Sequence, residues 1–278
     1  MIYMCALSYR ELHMAFHLSP GNALRPVLEI RRNLIISGLV FLCASALALV
    51  PEAFDRPTTR LINGVANRSW LFDYLTDASS KYFTFSGAVL MAMIWYCWFE
   101  NPDTERRVRV VVGTLASIGA GGISRILQHK LPTHPRPYYD AALGFQLPLN
   151  LEEAYNNWNS FPSDHVTVFA GLAVVLYVAR PSFVIYAILY TIVVESFRNY
   201  IGAHYPSDLI AGAALGAFAV WASQMSWPIS VGRKVMRLEQ SSPGLFYMSA
   251  FFLSYQIATL FNDIRQTLGP VRDHILGH

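Results

Sequence analysis

Arg198, His204 and Asp208 lie close together between two strongly apolar segments, 183–194 and 209–227. They stand at what read as the mouths of two membrane helices. An ionisable group costs roughly 2.5–3.5 kcal/mol at mid-bilayer, so a cluster of them there asks for a functional reason. His204 and Asp208 are four apart, with Pro206 between them at a favoured first helical position. Asp208 then falls in the first turn of the next helix and can point back at His204. A carboxylate that holds one imidazole nitrogen fixes the tautomer and leaves the other nitrogen free to attack. Ordinary roles are open to both: Arg198 can pair with Glu195 along a helix, and His204 can cap a helix or face headgroups.

Two further motifs carry matching chemistry. Lys130, His134, Arg136 and Pro137 follow an apolar block, and the prolines around Arg136 stiffen the backbone that holds one guanidinium. A guanidinium fork fits phosphate oxygens, and Lys130 adds a point charge. A basic patch touching headgroups is the plain alternative. Ser160, Pro162, Ser163, Asp164 and His165 open another apolar block and read as a helix N-cap. Free N–H groups at a helix start also bind anions, and His165 lies in the first turn. Together the motifs offer cations, two histidines and an orienting carboxylate, the set for phosphoryl transfer without a metal: cations meet the developing charge, one histidine attacks phosphorus, and the other protonates the leaving oxygen and then activates water. His129, His134, His165 and His204 show no local zinc-ligand spacing, so neither metal nor cofactor is expected.

The order Lys130 to Arg136-Pro137, then Pro162-Ser163-Asp164-His165, then Arg198 to His204 to Asp208 resembles the type 2 phosphatidic acid phosphatase superfamily in its integral-membrane branch. The resemblance covers 130–208 in motifs and 33–227 in layout. It implies a six-helix bundle, His204 as nucleophile, Asp208 as its partner and His165 as acid. It implies Lys130, Arg136, Ser163 and Arg198 as phosphate ligands, with Asp164 among them through its backbone N–H. Three positions depart from the family pattern. Five residues instead of six separate Lys130 from Arg136, Asp164 replaces a glycine, and Phe197 replaces a serine. The Asp164 form resembles the undecaprenyl-pyrophosphate phosphatases of the superfamily. A carboxylate beside a phosphate must point away or be offset by a cation.

The elements that position these motifs are membrane helices. The 278 residues are 54% hydrophobic and 14% charged, whereas soluble domains are about 25% charged. Apolar blocks at 33–50, 82–99, 108–127, 165–179, 182–197 and 208–227 predict an all-α, polytopic bundle with six core spans. A seventh stretch, 244–261, is expected to pack on the bundle as a helix or to lie in the interface. Gly119, Gly121, Gly122 and Ser124 suit close helix packing. Cys5, Cys43 and Cys97 show no paired or metal spacing and read as small buried hydrophobes. The first residues lack a cleavable leader pattern, and translation could start at Met4 or Met14. No basic run interleaved with aromatics points to nucleic acid.

Arginines and lysines at 25–32, 106–109, 180 and 233–237 alternate with the blocks and mark one side as cytoplasmic. The loops 51–81, 128–164 and 198–207 then face outward, to the periplasm in a Gram-negative cell. His129, Lys130, His134, Arg136, His165, Arg198 and His204 run against that charge rule, and an anionic ligand explains them. Loop 138–160, rich in tyrosine with Trp158, reads as a partly helical cap over the pocket or as a plain surface loop. The expected layout is an N-terminal segment 1–32, a phosphatase domain 33–227 and a C-terminal segment 228–278. The expected activity is hydrolysis of a lipid phosphate monoester or a polyprenyl diphosphate in the inner membrane, among membrane lipids. Lipid phosphotransfer at the same site, or binding and transport without turnover, are the alternatives.

Overall fold

The computed structural model describes residues 20–81, 87–131, 134–150, 159–264 and 266–267. The described residues are helical, with no strand among them, as expected for an all-α bundle. Ten α-helices follow in order: α1 Pro20–Ala48, α2 Asp55–Asn63, α3 Trp70–Lys81, α4 Gly87–Glu100, α5 Thr104–Lys130, α6 Asp164–Ala179, α7 Val184–Tyr200, α8 Pro206–Ser223, α9 Ser226–Ser241 and α10 Pro243–Ala258.

Local chemistry sets the ends. The Asp103 carboxylate caps α5 by accepting from the backbone N–H of Glu105 at 3.0 Å. Pro181 stops α6, and Arg180 before it is extended. Pro206 opens α8 at a position whose N–H would have no helical partner.

Helix α6 is the centre. It is apolar all round, and Phe169, Leu172 and Leu176 are fully buried. Helices α5, α8, α7 and α4 pack around it, and α1 covers α8. The α6–α8 contact depends on Gly212 and Gly216. A Cβ on Gly216 would lie 2.0 Å from the Thr167 carbonyl oxygen, and one on Gly212 2.5 Å from that of Ser163. Backbones approach this closely only without side chains between them.

Among the described residues, three helices are long and apolar enough to cross a membrane: Pro26–Ala48, Thr104–Lys130 and the run Pro181–Tyr200. Helices α8 and α9 qualify only as a pair bent by 74°, and α4 and α6 are apolar but shorter. The chain is a membrane protein by these helices. The apolar block expected to run to 227 ends as helix at Ser223, where the chain turns into α9. The stretch at 244–261 forms α10, which packs on α4 and α9. Residues 82–86 of the second block lie outside the described residues, as do Cys5, Met4 and Met14. Cys97 is buried, but Cys43 is exposed. Helix α1 packs along one side on α8, so its remaining surface, Cys43 included, faces outward.

Candidate active site

Direct hydrogen bonds tie the three motifs together. The N–H and Oγ of Ser160 both donate to the His134 carbonyl, at 2.9 and 3.2 Å. Arg136 is buried, and its Nη1 donates to the Ala203 carbonyl at 2.6 Å. The Tyr138 N–H donates to Gly202 O at 3.1 Å, and the Ser163 N–H to Asp208 O at 3.1 Å. From α5, Ser124 Oγ and Gln128 Nε2 both donate to the Pro162 carbonyl, at 2.9 and 2.7 Å. The loop before α6 is thus held between α5 and α8.

His204 is 1% exposed. Its Nδ1 lies 3.0 Å from the Ser160 carbonyl oxygen and 3.6 Å from Asp208 Oδ2. A carbonyl only accepts, so Nδ1 carries the proton and the lone pair sits on Nε2. The expected orienting carboxylate is therefore the more distant partner, and the backbone of the second motif holds the ring. Asp208 Oδ2 accepts the Tyr205 N–H at 2.7 Å and closes the turn into α8. Its Oδ1 lies 3.3 Å from His134 Nε2, an ion-pair distance without the alignment of a hydrogen bond.

Asp164 does not face outward into the site as an isolated charge. Its Oδ1 accepts from His165 Nδ1 at 2.9 Å, and Arg125 Nη1 lies 3.4 Å from Oδ2. The His165 ring is thereby oriented through Nδ1, and a cation from α5 offsets the Asp164 carboxylate. Arg125 lies within an apolar block on α5 and has no motif of its own, which hid it from sequence reasoning.

Ser163 Oγ is buried and makes no hydrogen bond among the described residues. Arg198 Nε is likewise buried without a hydrogen bond among the described residues, 3.8 Å from Glu195 Oε2. The Arg198–Glu195 pairing therefore exists, loosely, beside any role toward an anion. Ser196 Oγ donates to Val193 O at 2.8 Å on the exposed side of α7, so it does not replace the hydroxyl missing at Phe197. Lys130 is exposed at the end of α5, with no contact to the cluster among the described residues, and His129 is exposed beside it.

Sequence reasoning also missed Asp55. This buried carboxylate accepts from the Ser207 N–H at 2.9 Å and from its Oγ at 2.6 Å, fixing the start of α8 from α2. Its only sequence sign is a lone acidic residue at the start of a short amphipathic helix.

Charge follows from burial and neighbours. Burial pushes the His204 imidazole down to about 4; Arg136 and Arg198 act in the same direction, against the pull of Asp208. At neutral pH this ring is uncharged. Burial also disfavours charge on His134, but Asp208, then Asp55 and Asp140, outweigh it and hold His134 above the usual range. Burial pushes Asp140 up, yet Arg56 and the Tyr205 hydroxyl bring it below the usual carboxylate range.

A groove of about 230 Å³ is lined by Gly121, Gly122, Val168, Ile257 and Phe261 together with the Arg125–Asp164 pair. Of the cap expected at 138–160, Pro137–Tyr139 and Pro148–Asn150 are single helical turns. Glu152, Glu153, Tyr155 and Trp158 lie outside the described residues.

Parts of the sequence have counterparts in other proteins. A segment of 134 residues, 48% of the chain, is 29% identical to a Sulfolobus acidocaldarius protein named undecaprenyl-diphosphatase and covers 59% of it. The chain thus spans less than two thirds of that relative. A segment of 154 residues, 55% of the chain, is 26% identical to a putative undecaprenyl-diphosphatase of Escherichia coli K12 and covers 72% of it. No solved structure matches. Residues 130–228, which hold all three motifs, match the model of the PAP2 superfamily.

Proposed function

We propose that this protein is a phosphatase of lipid phosphates, acting on a phosphate monoester or a polyprenyl diphosphate through a phosphorylated His204. The observation that carries the reading is His204 itself: buried, uncharged at neutral pH, and held through Nδ1 by the Ser160 carbonyl so that Nε2 bears the lone pair. In the first step Nε2 bonds to phosphorus, the bond from phosphorus to the leaving oxygen breaks, and His165 Nε2–H protonates that oxygen. In the second, His165 takes a proton from water as its oxygen attacks the phosphoryl group. The P–N bond breaks, and inorganic phosphate leaves.

Arg136, Arg198, the Ser163 hydroxyl and the first N–H groups of α6, Asp164 among them, would hold the phosphoryl oxygens, with Lys130 at the rim. Support comes from the buried Ser163 and Arg198 atoms that lack hydrogen-bond partners among the described residues. No step requires a metal, since guanidinium groups meet the charge. The names of the two relatives favour a polyprenyl diphosphate. The lipid's apolar chain would lie along the groove beside Arg125 and Asp164.

The same reading places the catalytic domain at 33–227, with 1–32 and 228–278 as flanking segments, in the inner membrane with the site facing the periplasm. The test is phosphate release from polyprenyl diphosphate, phosphatidate, phosphatidylglycerol phosphate and lipid A phosphate by detergent-solubilised protein. Release by the wild type that survives EDTA and is inhibited by vanadate supports it. Equal release by His204→Ala overturns the mechanism.

A further inference from the structure

Helices α2 and α3 are amphipathic the wrong way round for water. On α3 the buried residues are Asp73, Thr76, Ala78 and Ser79, three of them polar, while Trp70, Leu71, Tyr74 and Leu75 are exposed, Trp70 by 68%. On α2 the buried residues are Asp55, Thr59 and Asn63, and Leu61 is 78% exposed. A helix at a water surface shows the opposite pattern. The polar faces are used internally. The Tyr200 hydroxyl donates to Asp73, and Asp55 holds Ser207. The exposed face carries the aromatic and aliphatic residues of a membrane interface, with the Trp70 and Tyr74 rings stacked at 5.3 Å.

Depth is set by a neighbour. Phe72 of α3 meets the rings of Phe197 and Tyr200 edge-on at 6.3 and 5.2 Å, and those residues form the last turn of the span Pro181–Tyr200. Helix α3 therefore lies where a spanning helix leaves the hydrocarbon. Its 12 residues are too short to cross.

The other side of the α2–α3 segment grips the loop beside the site. Asn63 Nδ2 donates to Gln146 O at 2.7 Å, and the Gln146 N–H returns a bond to Asn63 Oδ1 at 2.8 Å. Asn67 repeats the pattern with Leu147 O at 3.0 Å and the Leu149 N–H at 2.9 Å. Arg56 pairs with Asp140 at 2.7 Å, and Asp140 also accepts the Tyr205 hydroxyl at 2.6 Å, next to His204.

We propose that the α2–α3 segment lies in the plane of the bilayer, with Trp70, Leu71, Tyr74 and Leu75 seated at the boundary between headgroups and acyl chains. It docks in the leaflet on the side of the His204 cluster, and its asparagines hold the 140–149 loop at that depth. The inference rests on the chain being a membrane protein and stands apart from the phosphatase reading.

Nitroxide labels test it. Cys5 and Cys43 are replaced by Ser, buried Cys97 is left, and the full chain is reconstituted in phosphatidylcholine vesicles. Labels are placed by Leu71→Cys and Leu75→Cys, with exposed Glu52→Cys as the aqueous reference. The expected result is collision with oxygen and protection from a water-soluble nickel chelate at 71 and 75, with the reverse at 52. Chelate access at 71 and 75 equal to that at 52 overturns the proposal. Protection from both probes also overturns it, since it would mean a protein partner on this face. A second variant, Leu71→Glu with Leu75→Glu, is expected to raise the apparent KM for a lipid diphosphate in vesicles about tenfold. Hydrolysis of a water-soluble short-chain diphosphate should stay within about twofold. Equal losses on both substrates would mean a folding defect alone and would also count against docking. If neither substrate is hydrolysed by the wild type, the phosphatase reading fails while the label result still decides this one.

Discussion

Gly216→Ala tests whether the closeness of α6 and α8 holds the site together. The added Cβ would stand 2.0 Å from Thr167 O, 2.9 Å from Thr167 C and 3.0 Å from Gly171 N. All three are backbone atoms, so no side chain can swing away. Relieving the oxygen contact needs the helices to part by at least about 1 Å, because real Cβ contacts stay beyond about 3 Å. Overpacking of this kind costs about 1–3 kcal/mol, and this contact belongs at the upper end. The same two helices carry His165 and Asp208, and the Ser163 N–H bond to Asp208 O joins them one turn above. A displacement of about 1 Å between catalytic groups costs about 10²-fold in rate. The assay pairs thermal unfolding in detergent with phosphate release at saturating lipid. Gly119→Ala is the control, since a Cβ there meets nothing within 4 Å. It should leave activity unchanged and gain up to about 1 kcal/mol from helix propensity. A Gly216→Ala protein with wild-type melting and turnover would refute the close approach and the positioning argument built on it.

Three further outcomes follow from the geometry. Asp164→Asn keeps the size of the side chain but removes the charge facing His165 and Arg125; kcat should fall about 10–100-fold with KM little changed, as expected for a group orienting an acid. A raised KM with unchanged kcat would instead mean that Asp164 touches substrate. His204 must be neutral to attack, so kcat/KM should hold down to about pH 5 and fall as pH drops through about 4; a limb near 6.5 would mean an exposed ring. Because its folded value lies below the unfolded one, the folded state binds fewer protons in between, so the stability contribution is complete above about pH 6.5 and is lost as pH falls toward 4. Asn63→Ala should free the 140–149 loop, seen as faster proteolysis there, with a loss of about 1–3 kcal/mol in stability as the Gln146 backbone groups lose their partners.

Much of the site was legible in the sequence because its residue types are costly where they stand. Arg136, His165 and His204 interrupt apolar surroundings, and the alternation of basic loops expected from the sequence would bring them to one face. The hydrogen bonds among Ser160, His134, Arg136 and Ala203 join the same three motifs. What could not be read was the identity of the partners. Sequence spacing pairs His204 with Asp208, but the nearer contact is a main-chain carbonyl 44 residues away, which carries no side-chain signature. Asp164 read as an awkward charge because its offsetting cation, Arg125, comes from a helix 39 residues earlier. The short α2 and α3 were missed because their apolar residues are the exposed ones, so a periodicity search for a core face gives the wrong side. The bend after Ser223 was hidden inside a continuous apolar run.

The central claim is that His204 Nε2 takes the phosphoryl group. The direct measurement is rapid mixing with a polyprenyl diphosphate labelled in its terminal phosphate, followed by an alkaline quench and peptide mapping. The account predicts transient label on the peptide bearing His204, stable to base and lost in acid, and absent from His204→Gln. Label on His165, or wild-type turnover by His204→Gln, would contradict it.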